Sequence, residues 1–169
     1  MNKTVGLKKE RLIFGVFLLI FIVLLELVLH YLQLPAWPAF MVMIFFFEAH
    51  MDKSRAQQLI VGGVTGVACY VLTKQFVELT GPLLGVWMAR LMFICLVVYA
   101  IVALGEILPL VFNNYAFMFF LVSGLAANAA GVTPAPLTWM LVTLVGGAVV
   151  IGGILAIGQL MARLATPQN

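Results

Sequence analysis

Charged side chains are scarce in this chain of 169 residues: Asp, Glu, Lys and Arg together make up 9% of it. Soluble domains usually carry about 25% charged residues, so this sequence cannot supply an ordinary water-facing surface. Hydrophobic residues account for 64% of the chain, and its mean hydropathy is +1.18. The composition therefore excludes a typical soluble domain and predicts helices whose outer surface contacts the lipid bilayer.

Cysteine and histidine are also rare, with two of each, which leaves little material for a metal centre. Cys69 and Cys95 lie apart in apolar stretches and form no Cys-x-x-Cys pair. His30 and His50 are predicted to lie toward opposite faces of the membrane. The sequence contains no glycine-rich phosphate loop and no nucleophile elbow. We therefore predict no enzyme activity, no metal and no cofactor.

The basic residues are distributed as in a multi-pass membrane protein. The net charge is +3, but no basic patch interleaved with aromatic residues suggests nucleic-acid binding. Seven of the nine basic residues fall on one predicted side, and only Lys74 and Arg90 do not. Because Lys and Arg collect in cytoplasmic loops, we predict an inner (plasma) membrane protein with both termini cytoplasmic. The first apolar run, of about 20 residues, has spanning length, so we expect no cleavable signal peptide.

Apolar runs of spanning length predict an all-α fold, a polytopic bundle of six transmembrane helices. The bundle is expected to form a single transmembrane domain over residues 1–169. Gly81-Pro82 is interpreted as the stop after the third span, and Gly105–Pro109 as the break between the fourth and fifth. The predicted spans are roughly 12–32, 37–54, 59–76, 83–104, 110–130 and 137–161.

Small residues recur every four positions on three of the predicted helices. Such rows allow close approach of helix backbones in a membrane, and they predict a tightly packed bundle or a homo-oligomer. The alternative is that glycine and alanine are simply common in membrane helices. The rows are Gly62 and Gly66; Ser123, Ala127 and Gly131; and Ala148, Gly152 and Ala156.

Two tripeptide matches raise the hypothesis of an internal repeat. Ala39-Phe40-Met41 opens the second predicted span, and Ala116-Phe117-Met118 lies in the fifth. Val61-Gly62-Gly63 in the third span has a counterpart in Val145-Gly146-Gly147 in the sixth. Two halves of three spans each would have opposite orientations, which is the inverted three-plus-three plan of many transporters.

Ionisable and amide side chains in or beside the predicted spans are the candidates for substrate or ion binding. Glu26 and Arg90 are predicted at similar depth, roughly 10–12 Å below the outer surface, where they would form an ion pair. Arg90 would either join two helices or hold an anion. For Glu48 a solvated helix end is the alternative, and for Glu106 a plain surface loop. The full set is Glu26, Arg90, Glu48, Glu106, Asn113 and Asn114.

Two parts of the chain resemble a known membrane module. The first is LPAWPAFMVMIFFF with the basic turn and the helix VGGVTGVACYVL that follow, and the second is PLTWMLVTLVGGAVVIGGILAI. Both resemble small bacterial inner-membrane proteins of unknown function that share the fusaric-acid-resistance-like transmembrane module. In larger relatives that module belongs to efflux proteins for aromatic or hydrophobic acids.

These observations together favour transport over catalysis. We predict a small inner-membrane transporter or channel protein that moves a small organic or acidic solute. Its expected partners are the lipid bilayer, further copies of itself and the solute, but no nucleic acid. The alternative hypothesis is a non-transport accessory or structural membrane protein, in which the polar residues serve only packing.

Overall fold

The computed structural model describes residues 9–129 and 135–165, and all regular structure within these ranges is helical. The predicted all-α class is therefore confirmed for this part of the chain. A single π-helical turn, Val142–Gly146, joins the last two helices into one continuous rod. The helices are α1 Lys9–Tyr31, α2 Trp37–Glu48, α3 Lys53–Leu84, α4 Val86–Leu104, α5 Asn114–Ala127, α6 Pro136–Leu141 and α7 Gly147–Ala165.

Four helical segments are long and apolar enough to cross a membrane. They also carry large apolar side chains on the outside of the molecule, among them Leu19, Leu83 and Val102. Such a surface is compatible with a membrane protein. The four segments are Glu10–Tyr31, Lys53–Leu84, Val86–Leu104 and Pro136–Arg163.

The second and fifth helices are shorter than predicted. At 1.5 Å per residue, α2 measures about 18 Å and α5 about 21 Å, less than a hydrocarbon core of about 30 Å. α2 ends at Glu48, short of the predicted 54, because His50 and Met51 adopt positive φ angles of 56° and 58°. α5 begins at Asn114, not 110, because Asn113 caps it. Residues 130–134, with Gly131, lie outside the described ranges, and the six-span topology stays a prediction.

Helix α3 is much longer than the predicted span 59–76. At its start, the Ser54 hydroxyl and N–H both donate to the Asp52 carboxylate, at 2.7 and 2.9 Å, which lowers the pKa of that carboxyl. The predicted stop at Gly81-Pro82 is wrong, because the helix continues through Pro82 to Leu84. A proline in the last turn removes a single backbone bond, and the chain turns only at Gly85, where φ is +82°.

Helix α3 is also the centre of the bundle. It packs against α2, α4, α5, α6 and the π-helical turn, whereas α1 packs against α7. The contact with α5 requires glycine. A side chain on Gly62 would overlap the Asn113 amide, and one on Gly66 would overlap the Ala116 carbonyl oxygen and come within 2.7 Å of Phe119 Cβ. The predicted pair Gly62 and Gly66 thus lies where two backbones meet.

The predicted row Ala148, Gly152 and Ala156 does not pack inside this protomer. All three residues are exposed, and a Cβ on Gly152 would have no other atom within 4 Å. The inward glycines of α7 are instead Gly147, which faces Val42, and Gly153, which faces Phe21. Gly147 and Ala148 are adjacent in α7, so their directions differ by about 100° around the helix axis, and one faces the bundle while the other faces outward.

These contacts predict opposite outcomes for two glycines. Gly66→Val should destabilise the protein by about 2 kcal/mol or more, because the new side chain must push α5 away from α3. Gly152→Val should leave the monomer's thermal unfolding in detergent close to that of the parent. Equal losses in the two variants would contradict the assignment of these helix faces.

A labelling experiment tests whether the short helices cross the membrane. With Cys69 and Cys95 replaced by alanine, the cysteines of Ser54→Cys and Leu84→Cys should react with a thiol label that is added from opposite sides of the membrane. In the six-span topology Ser54 shares the side of the N-terminus, because both α1 and α2 cross. If α2 does not cross, Ser54 should react from the side opposite the N-terminus. That result would overturn the six-span prediction.

Candidate functional site

A cavity of about 540 Å³, here called the Arg90 cavity, opens between α3, α4 and α5. Its lining is mainly apolar, from residues such as Val77, Ile94, Phe120 and Leu125. A set of polar side chains lies among them. The polar lining residues are Tyr70, Thr73, Lys74, Glu78, Arg90 and Asn128.

The charged residues of the Arg90 cavity differ in whether they form an ion pair with another described residue. Lys74 Nζ lies 3.8 Å from Glu78 Oε1, one helical turn along α3, with the two side chains 58% and 64% exposed. Arg90 forms no ion pair with any residue that the structure describes. Tyr70 lines the same cavity. The cavity thus contains one guanidinium whose donors are free for a ligand.

Local structure explains why these residues share one cavity. Tyr70, Lys74 and Val77 follow one another at helical spacing and therefore lie on one face of α3. The tight turn at Gly85 folds α4 back beside α3, where the rings of Phe76 and Phe93 pack with centroids 4.9 Å apart.

Two of the neutral polar groups in the cavity are already occupied. The Thr73 hydroxyl donates to the Cys69 carbonyl at 2.7 Å, and Asn128 Nδ2 donates to the Gly124 carbonyl at 2.6 Å. Bonds of this kind satisfy a side chain within its own helix. Because Lys74 is already paired with Glu78, recognition of a charged ligand in this cavity falls mainly to Arg90.

The predicted ion pair between Glu26 and Arg90 is not present among the described residues. Both side chains are exposed, Glu26 on α1 and Arg90 on α4. Helix α1 packs against α7, whereas α4 packs against α3 and α5. The prediction is based on the similar depth of Glu26 and Arg90 in the membrane. Depth alone does not determine which helices are neighbours.

A second cavity of about 430 Å³, here called the Glu48 cavity, lies where α2 ends and where α3 and α5 begin. It brings together three predicted candidates, Glu48, Asn113 and Asn114, and adds Arg55 and Gln58. Helix C-termini attract cations and helix N-termini attract anions, so both kinds of dipole end meet here. The remaining candidate, Glu106, is exposed in the turn after α4 and does not line this cavity.

Asn113 acts as a structural clamp in the Glu48 cavity. Its Oδ1 accepts from Ala116 N at 3.0 Å, which caps α5. Its Nδ2 donates to the Gln58 carbonyl of α3 at 3.1 Å and to the carbonyls of Pro109 and Leu110 at 3.0 and 3.2 Å. Since the whole amide is bonded within the protein, Asn113 holds α5 against α3 and is not free for a substrate.

A continuous row of aromatic rings runs through the core between the two cavities. Tyr70 lines the Arg90 cavity, and Phe45 and Tyr115 line the Glu48 cavity. The Trp37 indole N–H is buried in this row with no hydrogen-bond partner among the described residues. The ring centroids are separated by 5.9 Å for Tyr70–Trp139, 5.3 Å for Trp139–Trp37, 6.3 Å for Trp37–Phe119, 6.1 Å for Phe119–Phe45 and 5.4 Å for Phe45–Tyr115.

No known protein family matches this chain, and no curated protein or solved structure matches it either. The resemblance to the fusaric-acid-resistance-like module therefore stays a prediction. Function has to be argued from the chemistry of the cavities themselves.

Sequence reasoning missed several residues of the Arg90 cavity, above all Lys74 and Glu78. Their i, i+4 spacing was a usable indication, because it places opposite charges on one helix face. The predicted third span, 59–76, leaves Lys74 near its end and Glu78 beyond it. The observed helix extends past both residues, so they lie beside α4 and α5.

The clamp predicts different effects for two adjacent asparagines. Asn113→Ala should lower stability by about 1–2 kcal/mol, because it removes the α5 cap and the bond to Gln58. Asn113→Asp should recover the cap but not the bond to α3. Asn114→Ala, at an exposed position, is the matched control for thermal unfolding in detergent. Equal stability of Asn113→Ala and Asn114→Ala would contradict the clamp.

Proposed function

We propose that this protein is a small multi-pass transporter of the inner membrane that moves a small organic anion, with Arg90 as the binding cation. The observation that carries the proposal is an arginine that has no ion pair with any described residue, in a mainly apolar cavity of about 540 Å³. In a membrane-embedded protein, an ionisable side chain without a partner is a candidate functional group by default.

The chemistry of the cavity suits an organic acid. A guanidinium binds a carboxylate through two parallel hydrogen bonds, which fixes the orientation of the ligand as well as its charge. The apolar lining would contact the carbon skeleton of such a ligand. The volume falls within the range of small-molecule sites, about 300–1,000 Å³. A metal ion or a nucleic acid would not be favoured by this combination of groups.

Helix lengths support the inverted three-plus-three repeat that belongs to this proposal. The first half has helices of 23, 12 and 32 residues, and the second begins with helices of 19 and 14 residues. It ends with the long rod formed by α6, the π-helical turn and α7. The short helices α2 and α5 thus occupy equivalent positions, as the discontinuous helices of many transporters do.

Reciprocal contacts support the same repeat. The second tripeptide match aligns Gly63 with Gly147. The first aligns Ala39 with Ala116, and three residues further along it aligns Val42 with Phe119. A Cβ on Gly63 would lie 3.0 Å from Phe119 Cε2, and one on Gly147 would lie 2.9 Å from Val42 Cγ2. The third helix of each half therefore packs against the second helix of the other half, as a pseudo-two-fold axis requires.

Two cavities separated by a packed aromatic row fit a transporter that opens to one side at a time. In the proposed orientation, with both termini cytoplasmic, the Glu48 cavity lies on the cytoplasmic side and the Arg90 cavity on the other. The proposal includes a homo-oligomer, because the exposed row Ala148, Gly152 and Ala156 suits close contact with a helix of a second copy.

The competing function is an accessory membrane protein without transport activity. Asn113 favours it, since a residue first considered for substrate binding serves only to join helices. Under this alternative Arg90 would be a lipid-facing interfacial residue, and its removal would affect neither binding nor transport. The two functions therefore differ in what Arg90 does.

Uptake into proteoliposomes distinguishes these functions. The parent should transport radiolabelled benzoate or hexanoate above protein-free vesicles, and Arg90→Gln should reduce uptake by about tenfold or more. Arg90→Lys should retain part of the activity, and Arg163→Gln, on the exposed end of α7, is the matched control. Uptake by the parent no faster than by empty vesicles would support the accessory function instead.

A further inference from the structure

We infer that the Arg90 cavity prefers monoanions to dianions, and that Glu78 is the residue that sets this preference. The inference rests on the proposed function of the same cavity. It concerns the class of acid that the cavity accepts, which Arg90 alone does not determine.

The charge balance of the lining is the first step. Among the described residues, three charged ones line the Arg90 cavity: Arg90 and Lys74 are cationic, and Glu78 is anionic. Their sum is a single positive charge, so one carboxylate neutralises the lining. A second carboxylate on the same ligand would have no counterion beside this mainly apolar lining, where an unpaired charge is less favourable than in water.

The geometry of the pair is the second step. Glu78 Oε1 lies 3.8 Å from Lys74 Nζ, so Glu78 already serves as the counterion of Lys74. A dianion would have to displace Glu78 from Lys74 and then lie beside its carboxylate. Arg90, which forms no ion pair with another described residue, offers a monoanion a cation without such competition.

The exposure of the pair limits the size of the effect. Because the side chains of Lys74 and Glu78 are 58% and 64% exposed, water screens their charges. Exposed ion pairs contribute little energy, so we expect a selectivity change of roughly fivefold rather than a complete switch. High salt should reduce the preference further, since these charges are accessible to ions.

The test compares two acids with the same number of carbon atoms, hexanoate and adipate, as ligands of the purified protein in detergent. The parent should bind hexanoate more tightly. Glu78→Gln should shift the ratio of the two dissociation constants toward adipate by roughly fivefold, because the lining then carries two positive charges. Glu78→Asp, which keeps the charge, should retain the preference of the parent.

Two further variants separate net charge from other effects. Lys74→Gln combined with Glu78→Gln returns the lining to one positive charge and should restore the preference for hexanoate. Glu106→Gln removes an exposed carboxylate that does not line the cavity and should leave the ratio unchanged. Thermal unfolding of each variant in the same detergent verifies that the protein is folded.

The outcomes distinguish this inference from the proposed function. Binding of hexanoate that Arg90→Gln abolishes, together with a ratio that Glu78→Gln does not change, would overturn the role of Glu78 and leave the anion site intact. Tighter binding of adipate than of hexanoate by the parent would also overturn the role of Glu78 and leave the anion site intact. Failure of the parent to bind either acid, or equal binding by Arg90→Gln, would overturn the anion site and the selectivity with it.

Discussion

The close approach of α3 and α5 is the contact on which the rest of the structure depends. It exists because Gly62 and Gly66 present backbone where α5 arrives, so that Asn113 reaches the Gln58 carbonyl and Phe119 enters the core. The Glu48 cavity lies at one end of this contact and the Arg90 cavity extends toward the other. A side chain at Gly66 would separate the helices and alter both cavities.

The sequence predicted features that depend on local chemistry. The all-α class, the break after Leu104 and the pairing of small residues on α3 follow from composition, from Gly105 and Pro109, and from residue spacing. It could not predict the end of α3, because Pro82 lies in the last turn, where a proline costs little. It also placed Glu26 opposite Arg90, since hydropathy gives depth along a helix but not the identity of the neighbouring helix.

The face of α7 illustrates a second limit of sequence reasoning. Ala148, Gly152 and Ala156 share one face at helical spacing, but the spacing alone does not determine whether that face points into the bundle or outward. The π-helical turn lies directly before this row, and Gly146 and Gly147 pack there against α2. Because the turn is stabilised by contacts between distant parts of the chain, no local pattern in residues 142–146 specifies it. The Arg90 cavity was missed for a similar reason, since its lining comes from three helices.

The aromatic row has a consequence for how motion in this protein can be observed. Trp37 and Trp139 are two of the chain's three tryptophans, and the third, Trp87, is exposed on α4. Joining the two cavities would separate rings in that row, and among the described residues the Trp37 N–H has no hydrogen-bond partner that such a movement would break. Replacing Trp87 with phenylalanine would leave intrinsic fluorescence as a built-in spectroscopic reporter of the core.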